Sequence, residues 1–283
     1  MAEITLKSKL SSPFTFSQSS LQGYHDCNRL FQLKFIQQLK WPSIESAPIL
    51  ENERRQLEGN QFHRLLQQYF IGIPQDKLSR MVKNSERENL KRWWNNFLIS
   101  QPAFIPSNQV GQVFVEQTLS APVGNHRLIA KYDMVSVMDG KARIFDWKTS
   151  SKRPRDAWMA GHFQTRVYIS LLIKAGAMLN HFKPFSPEDV EMVYWYAEFP
   201  NEPTIIKYDS SRFEKEWDGL VNLIQEISAR QSFPLTMDLR KCGYCNYRSF
   251  CDRGIAAEEG ELNESNVEDN WVIDPDQIGE IEF

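Results

Sequence analysis

Apolar residues recur every three or four positions in the first hundred residues of the chain, and alternate with polar residues in much of the remainder. The first pattern predicts helices over residues 19–39, 51–71 and 80–98, since residues three and four apart share one helix face. Alternation and an excess of Val, Tyr and Trp predict strands over residues 112–119, 127–137, 142–148 and 190–199. Helical spacing returns over residues 158–179 and 211–230. This order predicts an α/β fold with a mixed central sheet and flanking helices.

A tight hairpin is predicted between the second and third strands. Asp139-Gly140 favours a two-residue type I′ turn, because both central residues of that turn have positive φ. With that loop, Asp133 lies directly opposite Asp146, and their Cβ atoms are about 5 Å apart. Alternation along the strand puts Lys148 on the same face as Asp146. The hairpin therefore predicts two carboxylates and a lysine close together.

Two carboxylates that face each other repel, so this group needs a compensating charge. A hard divalent cation with oxygen ligands would supply it, and Lys148 would then stabilise charge that develops on a phosphate. The alternative is a surface ion pair in which Lys148 is only a salt-bridge partner. On the hairpin alone, both interpretations stay open.

The four cysteines are split between the two ends of the chain, with Cys27 at one end and Cys242, Cys245 and Cys251 at the other. No apolar run approaches the roughly 18 residues of a membrane span. The first twenty residues also lack the apolar core of a secretion signal, which predicts a cytoplasmic protein with no membrane partner. A reducing compartment favours ligation over disulfides, and four thiolates suit either zinc or a 4Fe–4S cluster.

Charge is distributed unevenly along the chain. Residues 256–283 contain ten acidic and no basic residues, so the net charge of −3 divides into −10 for this segment and +7 for residues 1–255. A moderately basic body suits a polyanionic partner. The acidic segment is typical of a disordered or docking tail, and a merely solubilising tail is the alternative.

Two segments of the predicted strands match a known pattern. Lys131-Tyr132-Asp133, followed by Ile144-Phe145-Asp146-Trp147-Lys148-Thr149, resembles the split motif of the PD-(D/E)XK nuclease superfamily, in its RecB-like branch. The resemblance implies a restriction-endonuclease-like core of order α-β-β-β-α-β, with Asp133 and Asp146 as ligands of Mg²⁺ or Mn²⁺ and Lys148 as the catalytic lysine. One departure is Ala130-Lys131-Tyr132, which stands where the family usually has Gly-Arg-Ile.

Two further pairs of residues fit motifs of the RecB-like branch. Gly59 and His63 match a Gly-x-x-x-His motif. The resemblance implies that His63 is a metal ligand, although a lone histidine is more often packed or solvated. Gln164 and Tyr168 match a Gln-x-x-x-Tyr motif, which implies that Gln164 hydrogen-bonds near the active site and that Tyr168 contacts or stacks on a DNA strand.

The segment between the lysine strand and the next helix is basic. Its residues Lys152, Arg153 and Arg155 suit contacts with DNA phosphates, and a solvated turn is the alternative. On the first strand, Glu116 is an additional carboxylate near the predicted site, which we expect to support it rather than to bind metal.

The positions of the four cysteines along the chain resemble a second known pattern. One cysteine before the nuclease core and three after it is similar to the iron staple of AddB-type and CRISPR-associated RecB-like nucleases. The resemblance implies a 4Fe–4S cluster at Cys27, Cys242, Cys245 and Cys251, with zinc as the alternative metal. Such a cluster would be structural, because it would tie the first helix to the C-terminal segment around the whole nuclease core.

The predicted function is that of a metal-dependent DNA nuclease, acting as an exonuclease on DNA ends or single strands in DNA repair, recombination or CRISPR-type DNA processing. Residues 1–255 would form the nuclease domain with its cysteine cluster, and residues 256–283 the tail. The sequence has no Gly-x-x-x-x-Gly-Lys-Ser/Thr loop, so a helicase would be a separate partner, as a CRISPR or repair protein would be. The alternative is a non-catalytic nucleic-acid-binding or assembly subunit of a helicase–nuclease complex.

Overall fold

A computed structural model describes residues 10–39, 47–100, 111–243 and 245–253. The predicted acidic tail, residues 256–283, lies outside the described residues. Within the part described, no helix combines the length and the apolar character needed to cross a bilayer.

Six strands of the described chain form one mixed sheet, with β1, β3, β4, β5 and β6 side by side in that order and β2 paired to β3. Their bounds are β1 Thr15–Phe16, β2 Gln112–Val123, β3 His126–Met138, β4 Lys141–Lys148, β5 Val190–Tyr196 and β6 Phe199–Lys207. The pairs β2–β3, β3–β4 and β5–β6 are antiparallel, whereas β4 and β5 are parallel. The predicted α/β fold with a mixed central sheet is confirmed.

Helices cover both faces of this sheet. Their bounds are α1 Gln18–Asp26, α2 Asn28–Phe31, α3 Ala47–Phe70, α4 Gln75–Lys83, α5 Glu88–Ser100, α6 Asp156–Gly161, α7 Phe163–Ala175, α8 Ser210–Ala229 and α9 Arg240–Gly243. One core lies between the sheet and α1, α7 and α8, and a second lies between the sheet and α3, α4 and α5. Alternate residues of β5 point into the two cores, so this strand is almost continuously apolar.

Three of the predicted helices are interrupted. Residues 19–39 do not form one helix, because Cys27 is extended at φ −160° and ψ 118° between α1 and α2 and a π-helical turn follows at Gln32–Ile36. Residues 80–98 belong to two helices, α4 and α5, and residues 158–179 break at His162, which is extended between α6 and α7. The predicted strand 190–199 ends at Tyr196, and the following strand β6 was not predicted.

The predicted hairpin between β3 and β4 is present, with positive φ at Asp139 and Gly140. Five residue pairs have the predicted register, from Met138–Lys141 at the turn to Met134–Phe145. The ladder ends there, one pair short of Asp133 and Asp146, so the prediction that these two form a direct cross-strand pair is wrong in that detail. The two strands part at the point where both carboxylates lie.

The pairing of β2 with β3 is interrupted at the same level. Val115 pairs with Met134 and Gln117 with Tyr132, while Glu116, between them, has a φ of +53° and is absent from the ladder. The register is the same on both sides of Glu116, but the inward-facing positions of β2 change there, since Phe114 and Leu119, five residues apart, pack in the same core. The backbone of β3 is therefore irregularly paired on both of its edges near Asp133.

Substitution of Gly140 tests the turn. Ala at this position meets no atom within 4 Å, but it must adopt a φ of +78°. We expect Gly140→Ala to lower the free energy of unfolding by about 1 kcal/mol. Gly161→Ala is the matched control, because that site is also open but has no positive φ. Urea unfolding measures both; equal stability of the two variants would contradict the turn assignment.

Candidate active site

Asp133 replaces a backbone acceptor where β3 and β4 separate. Its Oδ2 accepts a hydrogen bond from the backbone N–H of Trp147 at 3.0 Å, and its Oδ1 lies 3.2 Å from Nδ1 of His63 on α3. Burial disfavours ionisation, but His63, the Trp147 N–H and Lys148 outweigh it and hold the pKa of Asp133 below its usual range. This carboxylate is therefore negatively charged near neutral pH.

Asp146 is more deeply buried than Asp133, with 5% of its surface exposed. Its Oδ1 accepts a hydrogen bond from Nε2 of Gln164, and its Oδ2 lies 3.1 Å from Nζ of Lys148. Burial and the neighbouring Asp133 raise the pKa of Asp146 to about 6, against the attraction of Lys148. Two neighbouring buried carboxylates thus differ in their affinity for a proton.

Lys148 and Gln164 complete the group. Nζ of Lys148 donates to Oε1 of Gln164 at 2.9 Å and lies 5.5 Å from the centre of the Tyr194 ring. Gln164 therefore holds Lys148 through its oxygen and Asp146 through its nitrogen. The predicted proximity of Lys148 to Asp146, and a hydrogen bond from Gln164 at this place, are both present.

The donor set at this place suits a hard cation. Oδ2 of Asp146 is buried, and the polar group placed against it is the Lys148 ammonium, 3.1 Å away. An oxygen of this kind, beside a second carboxylate, is what Mg²⁺ or Mn²⁺ prefers. As the side chains stand, no group of three or more His, Cys, Asp or Glu in the described part of the chain is arranged to hold a metal ion. Asp133 and Asp146 supply the chemistry, and their side chains would have to adjust to a cation.

His63 lies beside the two carboxylates, as the sequence predicts, but it contacts Asp133. Burial lowers its affinity for a proton, yet Asp133 and Asp146 together raise the pKa of His63 above its usual value. The imidazole is therefore an ion-pair partner of Asp133 in this arrangement. It would have to release a proton before its ring nitrogen could bind a metal.

Tyr168 is placed beneath the site rather than on its surface. It is 8% exposed, and its ring lies 5.0 Å from that of Tyr132. The buried hydroxyl of Tyr132 donates to the backbone carbonyl of Tyr168 at 2.9 Å, which joins β3 to α7. The side chain of Tyr168 has no open face for stacking on DNA here. In the sequence, Tyr132 stands out only as part of the segment that departs from the family's usual Gly-Arg-Ile. The sequence does not reveal that it contacts Tyr168.

The basic segment has one residue with a structural role. Arg153 donates to Asp156 and to the backbone carbonyl of Glu202 at 2.7 Å, and its guanidinium lies over the Tyr196 ring at 5.6 Å. Its flanking residues Lys152 and Arg155 are exposed. Arg153 therefore fixes the segment against β5 and β6, and the two exposed cations are the ones placed for an anionic ligand.

Glu116 lies between the β2–β3 pairs Val115–Met134 and Gln117–Tyr132, at the level of Asp133, where the pairing of the two strands is interrupted. Its carboxylate forms an ion pair with Lys131 at 2.6 Å. It thus lies near the site without joining the cluster of Asp133, Asp146 and Lys148.

The four cysteines line one small cavity together with apolar residues, among them Leu30, Leu33 and Tyr247. All four are free thiols, and Nη1 of Arg253 donates to Sγ of Cys242 at 3.0 Å. Burial, with repulsion from the other three cysteines, raises the pKa of Cys245 to about 11. Four convergent thiols fit a four-thiolate metal or cluster site in chemistry, although their side chains are not yet at metal-binding geometry.

The two ends of the chain also meet here by hydrogen bonds. Nζ of Lys241 donates to the carbonyl of Asp26 at 3.0 Å, and the Tyr247 hydroxyl donates to the carbonyl of Leu39 at 3.0 Å. Cys27 occupies the extended break between α1 and α2, which turns it away from a helical position. The N-terminal helices and the segment of residues 240–251 therefore contact each other around the cavity.

Comparison with known proteins gives one family. A family model of the PD-(D/E)XK nuclease superfamily matches residues 15–252. No curated protein matches the chain significantly. Among solved structures, a candidate exonuclease from Eubacterium rectale has 9% sequence identity and a TM-score of 0.45, covering 75% of this chain and 79% of that one. The protein SSO0001 has 12% identity and a TM-score of 0.37, covering 88% and 91%. Both TM-scores are below 0.5, so neither structure supports a family assignment. That assignment rests on the family model that matches residues 15–252.

Gly59 explains how closely α3 approaches the end of β4. A Cβ on this residue would lie 2.9 Å from Oγ1 of Thr149, the residue after Lys148. We expect Gly59→Ala to cost about 1 kcal/mol of unfolding free energy, because α3 or Thr149 must move. The double variant Gly59→Ala/Thr149→Ala removes the clashing oxygen and should recover most of the loss. Thermal unfolding measures both, and a double variant no more stable than Gly59→Ala would show that this contact is not the cause.

Proposed function

Because the chain belongs to the PD-(D/E)XK nuclease superfamily, we propose that it is a metal-dependent DNA nuclease of the RecB-like branch, with its active site at Asp133, Asp146 and Lys148. The observation that carries the proposal is the meeting of these three residues where β3 and β4 separate, with Lys148 3.1 Å from Asp146. Membership of the superfamily supports phosphodiester hydrolysis as the reaction class. The basic residues Lys152 and Arg155 beside the site support a polyanionic substrate.

The residues of the site have distinct roles in this proposal. Asp133 and Asp146 would hold the cation, and Lys148 would place its positive charge beside the phosphate, where negative charge develops during attack. When bound, Mg²⁺ or Mn²⁺ supplies Lewis-acid polarisation of the phosphate and a more acidic water. Gln164 orients Asp146 and Lys148 at once through its two hydrogen bonds. His63 keeps Asp133 in place and, once neutral, is available as a further ligand.

The RecB-like branch is supported by residues in matching places. His63 contacts Asp133 and Gln164 contacts Asp146, so two of the branch's motif residues adjoin the carboxylates. We extend the proposal to exonuclease action on DNA ends or single strands, in repair, recombination or CRISPR-type processing. A separate helicase or a CRISPR or repair protein would then be the partner.

At the cysteines we propose a structural 4Fe–4S cluster held by Cys27, Cys242, Cys245 and Cys251, with zinc as the alternative. The convergence of four free thiols on one cavity supports it. A group bound there would link the N-terminal helices to the C-terminal segment and so contribute directly to folding. In this proposal residues 1–255 form a single nuclease domain and residues 256–283 an appended acidic tail.

Cleavage of labelled single- and double-stranded DNA with Mg²⁺ or Mn²⁺ tests the nuclease. We expect Asp146→Asn and Lys148→Ala to lower the cleavage rate at least about a hundredfold, since the first weakens the cation site and the second removes the positive charge beside the reacting phosphate. Asp139→Asn and Lys141→Ala are matched controls, because they make the same kinds of change at the far end of the same hairpin. Both controls should cleave at the wild-type rate.

Two results would contradict this function. One is the absence of cleavage by the folded wild type with either cation, which would favour a non-catalytic subunit. The other is undiminished cleavage by Asp146→Asn or Lys148→Ala, which would assign the activity to other residues or to a contaminant.

The cysteine site is tested by anaerobic purification and metal analysis. We expect about four iron atoms per chain and a brown absorbance, both lost in Cys245→Ser together with thermal stability. Ser249→Ala, in the same segment, is the control and should retain both. One zinc atom per chain would replace the iron–sulfur assignment with the zinc alternative, and a metal-free wild type of unchanged stability would defeat both.

A further inference from the structure

A partly exposed tryptophan lies on α6, the helix that directly precedes α7 and its Gln164. Trp158 of α6 is 37% exposed, although its neighbour Met159 is buried in the core. Its indole packs on the ring of His162, with centroids 4.9 Å apart and an angle of 34° between the planes. The indole is therefore supported from one side by a buried ring, while part of its surface faces solvent.

His162 connects this tryptophan to the carboxylates. It is 7% exposed and precedes α7, where its Nδ1 accepts the backbone N–H of Gln164 at 3.3 Å. The side chain of Gln164 in turn contacts Asp146 and Lys148. Two residues, His162 and Gln164, thus separate the indole from the catalytic carboxylate, and both are held by hydrogen bonds.

The basic segment leads directly into the helix that carries this tryptophan. The backbone N–H of Trp158 donates to the carbonyl of Arg155 at 2.9 Å, in the first turn of α6. Arg153 anchors the segment to Asp156 and to Glu202, so its backbone is braced against β6. The exposed Lys152 and Arg155 therefore lie on an anchored segment, six and three residues before Trp158.

We propose that Trp158 is a stacking platform for an unpaired nucleobase of single-stranded DNA, whose phosphates are bound by Lys152 and Arg155. An aromatic face beside a row of cations is the combination that binds single strands without sequence preference, because every base offers a π face and every nucleotide a phosphate. A base inside a duplex is stacked on both faces and cannot reach the indole. This inference rests on the proposed function for the identity of the strand, and it narrows the substrate to a single strand or an unpaired end.

The competing interpretation is that Trp158 only covers His162 and keeps water from the helix junction. The two interpretations of Trp158 predict different binding affinities when the nucleobase is removed from the DNA. If the indole stacks on a base, its contribution disappears when the oligonucleotide has abasic sites; if it only stabilises the junction, every ligand is affected alike.

Fluorescence anisotropy with a labelled 15-nucleotide single strand measures binding directly. All variants carry Lys148→Ala, which prevents cleavage, and Mg²⁺ is present. Because binding is measured, the result stands whether or not the wild type cuts DNA. We expect Trp158→Ala to weaken binding about tenfold or more and Trp158→Phe to weaken it less than about threefold. Phe182→Ala is the matched control, since Phe182 is an aromatic residue 85% exposed beyond the other end of α7, and it should bind as the parent does.

Two further ligands give the decisive comparisons. An abasic strand of equal length should bind the parent and Trp158→Ala equally, and so should a blunt duplex. The proposal is overturned if Trp158→Ala binds the normal strand as tightly as the parent, or if it loses the same affinity for the abasic strand. Circular dichroism melting identifies any variant that has lost its fold, and in that case Trp158→Phe against the abasic strand decides the matter.

Discussion

The separation of β3 from β4 after the Met134–Phe145 pair is the constraint on which the site depends. Up to that pair the two strands satisfy each other's backbone groups. Beyond it the Trp147 N–H needs a new acceptor, and the carboxylate of Asp133 provides one. A buried backbone donor without an acceptor is costly, so this role keeps the Asp133 side chain in place. The structural requirement of the sheet and the chemical requirement of the site are met by the same side chain.

The second carboxylate, Asp146, is in a different electrostatic environment. Asp146 is buried beside a charged neighbour, and its pKa rises to about 6 while that of Asp133 falls. Lys148 and Gln164 reduce the repulsion without removing it, which leaves the pair suited to an added positive charge. Beneath them the hydroxyl of Tyr132 joins β3 to α7 and so sets the distance between the strand that carries Asp133 and the helix that carries Gln164.

The sequence predicts the features of this arrangement that are determined by neighbouring residues, and it misses those that depend on distant parts of the chain. The hairpin register is correct because Asp139 and Gly140 determine their own turn. The early end of the ladder coincides with an interruption of the pairing with β2 at Glu116, which no pattern around Asp133 reveals. The resemblance to the Gln-x-x-x-Tyr motif predicted that Gln164 hydrogen-bonds near the active site, as it does, but it could not show that Tyr168 is buried. Strand β6 escaped prediction because Phe199–Lys207 contains two prolines and lies at a sheet edge, where proline is tolerated.

In the proposed mechanism, Asp133 and Asp146 would form a cation site where β3 and β4 separate. The most direct measurement is a Mn²⁺ titration followed by electron paramagnetic resonance, in which bound Mn²⁺ loses the sharp signal of the free ion. We expect saturable binding by the wild type, and an affinity lower by more than about tenfold in Asp146→Asn. Mn²⁺ binding that is absent in the wild type, or equal in the two proteins, would contradict the account.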